Sequence, residues 1–218
     1  MHGKAAWHMK NFDGVLLASG GMDSTVLAYD LAQKSENIIV LFLDYGQHCA
    51  EKELDTLRKV IPESYTDNIR VIRISDIYQE SNSCMIIEAN LWTDFIVADD
   101  LYLPYRNLLF LSIASAYAQS IGARNVYSAF INSNHAKEID CSMEFFAKLE
   151  ALLEAYGPVK INIPYRTMSK TEVARLGISL GAPVAATYSC QVNSQNPCGA
   201  CPNCVDRIDA LNALIEGV

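Results

Sequence analysis

The chain has 218 residues, 50% of them hydrophobic, enough for one substantial core and a small appendage but too few for two full catalytic domains. Its 17 basic residues against 25 acidic ones give a net charge of −8 with no Lys/Arg cluster, so nucleic acid is not expected as a partner. No apolar run reaches the ~18 residues that a membrane span needs, and no membrane partner is expected.

Met1 to Asn11 lacks an apolar segment of the kind that marks a secretory signal. Seven cysteines, an odd number, in a chain read without an export signal point to a reducing compartment, so a cytoplasmic protein is expected.

In chain order, Gly14 to Ala18 is a short apolar run that stops at Ser19-Gly20-Gly21, and a helix is predicted from Thr25 to Gln33. Ile38 to Leu43 is continuously apolar, as in a strand covered on both faces. A helix follows over Ala50 to Val60, then a strand rich in β-branched residues over Ile69 to Ile74. Ser75 to Pro104 carries no clear period. Arg106 to Ser120 reads as a buried helix stopped by Gly122, Asn125 to Ile131 as a strand, and Met143 to Tyr156 as a helix ended by Gly157-Pro158. Val159 to Ile163 is the last predicted strand. Ser169-x-x-Glu172 is a capping box that opens a helix running to Leu176. Strands alternating with helices imply an α/β fold with a doubly wound, mostly parallel sheet, built as a single domain over residues 1–218.

The turn after the first strand carries the most chemistry. Adjacent glycines at Gly20 and Gly21 let backbone amides approach an anion, and the following helix N-terminus points its dipole at the same place. Ser19 and Ser24 add hydroxyl donors, and Asp23 can hold Mg²⁺ or cap the helix. The Walker lysine and the Rossmann glycine spacing are both absent. The alternative is a glycine turn whose Ser and Asp merely cap the next helix.

Cys190, Cys198, Cys201 and Cys204 form C-x7-C-x2-C-x2-C, four ligands within 15 residues. That spacing suits a closed tetrahedral Zn²⁺ site with no position left for substrate, so a structural metal is expected over residues 186–210. Disulfides and an iron–sulfur cluster are the alternatives. Cys49, Cys84 and Cys141 stand apart from this group.

Ser-Gly-Gly-x-Asp-Ser after a first strand resembles the PP-loop of the N-type ATP pyrophosphatases, the adenine nucleotide alpha hydrolase-like superfamily that includes GMP synthetase and asparagine synthetase. The resemblance implies that the loop grips the pyrophosphate released when a substrate is adenylated. Asp44-Tyr45-Gly46-Gln47 after the second strand, Arg106-Asn107 opening an apolar helix, Ser169-Lys170-Thr171-Glu172, and Pro197-Cys198-Gly199-x-Cys201-x-x-Cys204 extend the likeness. Together they resemble the 7-cyano-7-deazaguanine synthase family, QueC, from about residue 14 to 210.

The resemblance implies an ATP-dependent, AMP-forming ligase that adenylates the carboxylate of 7-carboxy-7-deazaguanine, forms the amide with ammonia, and dehydrates it to the nitrile with a second ATP. ATP, Mg²⁺ and Zn²⁺ are the implied cofactors, and a homodimer is a reasonable expectation. Ser19, Gly20, Gly21, Asp23 and Ser24 would hold phosphates and Mg²⁺. Asp44, Gln47, Arg106, Asn107 and Asp140 would meet the substrate, with Asp23, Arg106 and Lys170 as the catalytic set. Lys170 sits in the first turn of a helix, where the dipole disfavours a cation unless an anion is near. A solvated Lys170, a structural ion pair at Arg106, and an ordinary strand-end turn at Asp44 and Gln47 are the plainer readings.

Three departures from the family pattern stand out. Tyr105 replaces the Gly of Val-Pro-Gly-Arg-Asn, and His48-Cys49 replaces Arg-His after Gln47. The segment Ala129 to Ser142 diverges from Gly-Val-Asn-x-x-Asp and Tyr-Pro-Asp-Cys-Arg, keeping Asp140-Cys141 but replacing the Arg with Ser142. The ATP end and the zinc end therefore match while the substrate end does not. This leaves open a variant of the kind associated with antiviral operons, in which a protein amine accepts the activated deazaguanine. Another PP-loop ligase, or a non-catalytic nucleotide-binding module, would share the loop.

Overall fold

In the computed structural model, residues 11–90, 96–131, 141–193 and 196–215 are described. Five strands form one sheet: β1 (Gly14–Leu17), β2 (Ile38–Asp44), β3 (Ile69–Arg73), β4 (Asn125–Tyr127) and β5 (Lys160–Asn162). Their order is β3-β2-β1-β4-β5, and every neighbouring pair is parallel. The α/β expectation holds. The chain winds outward from β1 in one direction and returns to its other side at β4, so the strand order reverses between β1 and β4. In open α/β sheets, ligands bind beyond the carboxyl ends of the strands at such a reversal.

Successive residues of β1 and β2 point to opposite faces, and both faces are covered. Leu16, Val40 and Phe42 pack on one side with Val26 and Leu27 of α1 (Met22–Gln33), Leu57 of α2 (Ala50–Val60) and Val173 of α5 (Lys170–Ser179). Val15, Leu41 and Leu43 pack on the other with Leu111 and Ala114 of α3 (Arg106–Ser120) and Phe146 and Leu149 of α4 (Met143–Tyr156). This two-sided cover is why β2 reads as an unbroken apolar run. A side chain as buried as Phe42 contributes about 1.5–3 kcal/mol. Among the described residues, no helix is long and apolar enough to cross a membrane.

Helices α2, α3 and α4 have the expected limits. Elsewhere the structure corrects the sequence-based boundaries. Helix α1 begins at Met22 rather than Thr25, immediately after its N-cap Gly21, and α5 runs on to Ser179. Strand β4 stops at Tyr127, well short of Ile131. Its register on β1 pairs Tyr127 with Leu16, and β1 ends one residue later, so no ladder remains to extend it.

A sixth helix, α6 (Pro202–Ile215), was not predicted. Pro202 at its first position is the start signal that could have revealed it. The described parts of the 75–104 stretch, 75–90 and 96–104, are irregular, as expected, with short 3₁₀ turns at Ser75–Ile77 and Ala98–Leu101. Its Tyr78, Met85 and Leu103 pack against Tyr45 at the end of β2.

Candidate active site and metal centre

A cavity of about 270 Å³ opens beyond the carboxyl ends of β1, β2 and β4. Ser19, Gly21, Asp23 and Ser24 form one wall, Arg106 and Asn107 another, and Ser128 to Phe130 a third. The glycine turn and the start of α3, nearly ninety residues apart in sequence, therefore face one space.

Gly20 has φ +80°, and a Cβ there would lie 2.7 Å from the Leu57 amide nitrogen and 2.8 Å from the Glu53 carbonyl oxygen. Only glycine fits where the turn crosses α2. Gly21 is the N-cap of α1, and no side chain caps that helix. The capping alternative is thus not what is built. Ser24 turns its hydroxyl back to donate to the Gly21 carbonyl at 3.2 Å and accepts weakly from the Ser19 amide at 3.5 Å. The dipole end of α1 is left facing the cavity, which suits an anion.

Asp23 Oδ2 accepts from Lys170 Nζ at 3.1 Å, with both side chains about four-fifths buried. Lys170 is therefore neither solvated nor waiting alone: its position in the first turn of α5 is balanced by a carboxylate from α1. Asp23 Oδ1 is buried with no hydrogen-bond partner among the described residues. An orphaned carboxylate oxygen at the cavity wall fits a hard cation such as Mg²⁺.

Arg106 occupies the first turn of α3, where the dipole again disfavours a cation. Its guanidinium donates to the Tyr45 hydroxyl and sits near the Glu53 carboxyl. Asn107 is buried beside it. Glu53 lines the same cavity from α2 and was not singled out in the sequence. It accepts from Gln47 Nε2 at 3.0 Å and from the Cys49 thiol. Desolvation pushes its carboxyl up to about 7, against the opposing pull of those two hydrogen bonds and of Arg106.

Gln47 spends its amide inside the protein. Its Oε1 accepts from the Tyr45 amide at 2.9 Å, and its Nε2 serves both the Leu43 carbonyl and Glu53. It lines the cavity, and its Nε2 is bonded to Glu53. Asp44 accepts from the Gly46 amide at 3.2 Å and lies 3.7 Å from Arg73 Nε, the plainer strand-end arrangement, and the structure does not bring it to the cavity wall. Asp140 lies outside the described residues.

The Sγ atoms of Cys190, Cys198, Cys201 and Cys204 all lie within 4.8 Å of one another, with Cys198 and Cys204 3.9 Å apart. Thiolates at ~2.3 Å from a tetrahedral zinc ion are separated by about 3.8 Å, so the four fit one ion. The Val192 and Cys198 amides donate to Cys190 Sγ, and the Ala200 and Cys201 amides to Cys198 Sγ, each at 3.3–3.4 Å. Such donors orient thiolate ligands and offset their charge. All seven cysteines are free, so disulfides are not formed.

The cluster is joined to the cavity. The Tyr188 amide donates to the Gly20 carbonyl at 3.0 Å, and Asn203, between two of the cysteines, lines the pocket. Buried Arg207 of α6 donates to Thr187 Oγ1 and to the Val184 and Ala185 carbonyls, fixing the helix to the turn before the cysteines. Asn203 and Arg207, like α6 itself, were missed in the sequence.

A family model described as Queuosine biosynthesis protein QueC matches residues 13–215. The chain belongs to the QueC family. A 7-cyano-7-deazaguanine synthase from a Nitratiruptor species is 30% identical over 203 residues, 89% of this chain and 91% of the relative. The Archaeoglobus fulgidus protein of the same name is 33% identical over 211 residues, 94% of this chain and 87% of its own. That of Aquifex aeolicus is 29% identical over 220 residues, covering 95% and 100%.

The departures from the QueC pattern have structural counterparts. Tyr105 keeps the left-handed backbone that suits glycine, φ 56°, with its ring 70% exposed rather than lining the cavity. Ser142 is the N-cap of α4 and accepts from the Phe145 amide at 3.1 Å. Cys49 is buried against Tyr188 and the metal-type cysteines.

Proposed function

We propose that this QueC-family protein is an AMP-forming ligase that adenylates the carboxylate of 7-carboxy-7-deazaguanine and converts it, through the amide, to the nitrile 7-cyano-7-deazaguanine. The names of its relatives supply the substrate class. The observation that carries the reading is the uncapped N-terminus of α1, facing the same cavity as Asp23 and Arg106. A carboxylate is a poor electrophile, and adenylation turns its oxygen into a good leaving group. Such chemistry needs charge stabilisation and positioning more than covalent help.

In this reading, the amides after Gly21 and the hydroxyls of Ser19 and Ser24 bind the phosphates. Asp23 would hold Mg²⁺, whose charge would offset that of the departing pyrophosphate, while Lys170 fixes the orientation of Asp23. Arg106 offers its remaining donors to phosphate or carboxylate, and Asn107 orients the substrate. Zn²⁺ on the four cysteines would be structural, since all ligand positions are filled by protein. The whole chain then acts as one ATP pyrophosphatase domain, with 186–210 as its zinc-binding part.

One observation favours a second acceptor. Where the family pattern carries Arg after Asp-Cys, Ser142 spends its hydroxyl capping α4, so a cation of the substrate end is absent. A protein amine in place of ammonia is the corresponding variant.

Purified protein is to be incubated with ATP, Mg²⁺ and 7-carboxy-7-deazaguanine, with and without ammonium. Acid-dependent release of AMP and pyrophosphate is expected, with nitrile appearing by mass spectrometry only with ammonium. Formation of ADP in place of AMP would exclude the reading. AMP release that yields no nitrile, but a mass adduct on an added protein, would favour the second acceptor.

A further inference from the structure

Aminolysis of an acyl-adenylate needs a proton acceptor. The attacking nitrogen becomes positively charged as its bond to carbon forms, and it must lose a proton for the product to persist. Among the described residues, the ionisable side chains that line the cavity are Asp23, Tyr45, Glu53 and Arg106. Asp23 is engaged by Lys170. Tyr45 accepts from Arg106, and its burial holds the phenol protonated. Arg106 is a permanent cation and cannot accept a proton.

Glu53 is the group that remains. It stands on the first turns of α2, where its own carbonyl oxygen would touch any Cβ placed at Gly20. The Glu53 backbone is therefore packed against the glycine turn, and the residue lines the same cavity as Ser19, Gly21, Asp23 and Ser24. Gln47 holds one oxygen at 3.0 Å, and that amide is itself locked to the Leu43 carbonyl and the Tyr45 amide.

We propose that Glu53 is the proton acceptor for the amine that attacks the activated acyl carbon, and that Gln47 is its positioning residue. This rests on the adenylation reading above. In the step, the amine lone pair forms the C–N bond and the C–O bond to AMP breaks, with AMP taking the electron pair. One N–H proton passes to the Glu53 carboxylate. Nothing is oxidised or reduced.

The environment suits that role. The charged and titratable groups felt at this carboxyl are the Cys49 thiol preceding α2, Arg106 of α3, and the phenol of Tyr45 after β2. Desolvation brings the carboxyl to about 7, so it is substantially ionised at neutral pH yet basic enough to take a proton.

The test compares wild type with Glu53→Gln in two half-reactions. Acid-dependent exchange of pyrophosphate into ATP reports adenylation, and ammonium-dependent amide or nitrile formation reports acyl transfer. Hydroxylamine, a strong nucleophile that is mostly neutral at pH 7, serves as an acceptor that does not need the base. Glu53→Gln is expected to retain exchange and hydroxamate formation while ammonium-dependent product falls by about 10²-fold or more. Glu53→Asp should recover part of it.

Because free ammonia itself grows with pH, transfer rates are divided by its concentration. So normalised, wild-type transfer should rise with pH through about 7, and in Glu53→Gln that rise should vanish. Unchanged ammonium-dependent product in Glu53→Gln overturns the proposal. So does an equal loss of exchange and transfer in a variant with wild-type circular dichroism, since Glu53 would then serve adenylation. Absence of exchange in the wild type itself overturns the adenylation reading and, with it, this inference.

Discussion

Lys170 Nζ lies 3.1 Å from Asp23 Oδ2, tying the first turn of α5 to the first turn of α1 across 147 residues of sequence. Each helix places its charged residue where the glycine turn begins. The pair thus fixes the geometry of the loop as well as the contact between the helices. That contact is close: a Cβ at Gly177 of α5 would come within 2.5 Å of Val26 Cγ2 on α1.

Lys170→Met leaves a mostly buried carboxylate without its partner. A loss of about 1–3 kcal/mol in urea unfolding is expected, together with a marked fall in AMP release. Asp23→Asn in the same background should recover part of the stability, because the uncompensated charge is gone, but none of the activity. Additive stability losses in the double variant would mean the two residues do not interact.

The two loop glycines should respond differently to the same methyl group. Gly20→Ala must adopt φ +80° and meet backbone atoms of α2 at 2.7–2.8 Å, so a loss of at least ~2 kcal/mol is expected. Gly21 has φ −71°, and a Cβ there meets Ser19 Oγ at 3.4 Å and Ser189 Oγ at 3.7 Å, which are ordinary contacts. Gly21→Ala should therefore unfold near wild-type denaturant concentrations while its KM for ATP rises. An unchanged KM would remove this turn as the phosphate site.

Much of this site could be read from the chain, because its strongest signals are local. Ser19 to Ser24, the four cysteines, and the Ser169–Glu172 capping box each form within a few residues. The cysteines cluster and the box caps α5 as expected, while the helix after the glycines starts three residues early, at Met22. Glu53 was invisible for the opposite reason. In Ala50-Glu51-Lys52-Glu53-Leu54 it looks like one more charge on a solvated helix face. Only the crossing of α2 by Gly20 and the approach of Arg106 turn it toward the cavity. Asp44 and Gln47 show the converse. Their place at a strand's carboxyl end suggests ligand contacts, yet hydrogen bonds within six residues tie Gln47 to Glu53 and Asp44 to its own turn, and Gln47 also lines the cavity.

Loss of the metal should be felt at a distance. The cysteine segment meets the glycine turn through the Tyr188 amide and the Gly20 carbonyl, and it carries Asn203 to the cavity wall. Structural zinc contributes about 10–16 kcal/mol in small peptides. One equivalent of zinc per chain is expected by elemental analysis. Cys201→Ser, or a strong chelator, should lower the melting temperature by roughly 10 °C and open the 186–210 region to proteases first. A wild-type melting curve after complete removal of metal would show that the cluster does not hold the tail.

Glu53 also predicts how stability depends on pH, independently of any activity. Its carboxyl titrates near 7 in the folded protein, against 4.5 for an ordinary Glu, so the folded state holds this proton more tightly than the unfolded chain does. Folding therefore takes up a proton between about pH 4.5 and 7, and the contribution of this group to stability falls as pH rises through that window, then levels off. Glu144 and Glu172 shift in the opposite direction, and their effects lie at and below the ordinary carboxylate range, where stability is lost as pH falls. Both are exposed, so solvent screens them. The cysteine cluster, whose Cys190 thiol is held well below its ordinary value by its hydrogen bonds, acts in the opposite sense to Glu53 across the same window. The Glu53 contribution is therefore read as the difference between wild type and a Glu53 variant. Glu53→Gln, neutral at every pH, should gain stability relative to wild type as pH rises from about 5 to 7.5, with the urea midpoints of the two proteins diverging through that window. A difference between the two proteins that stays constant across this window would show that the carboxyl is solvated and ionised like any surface glutamate.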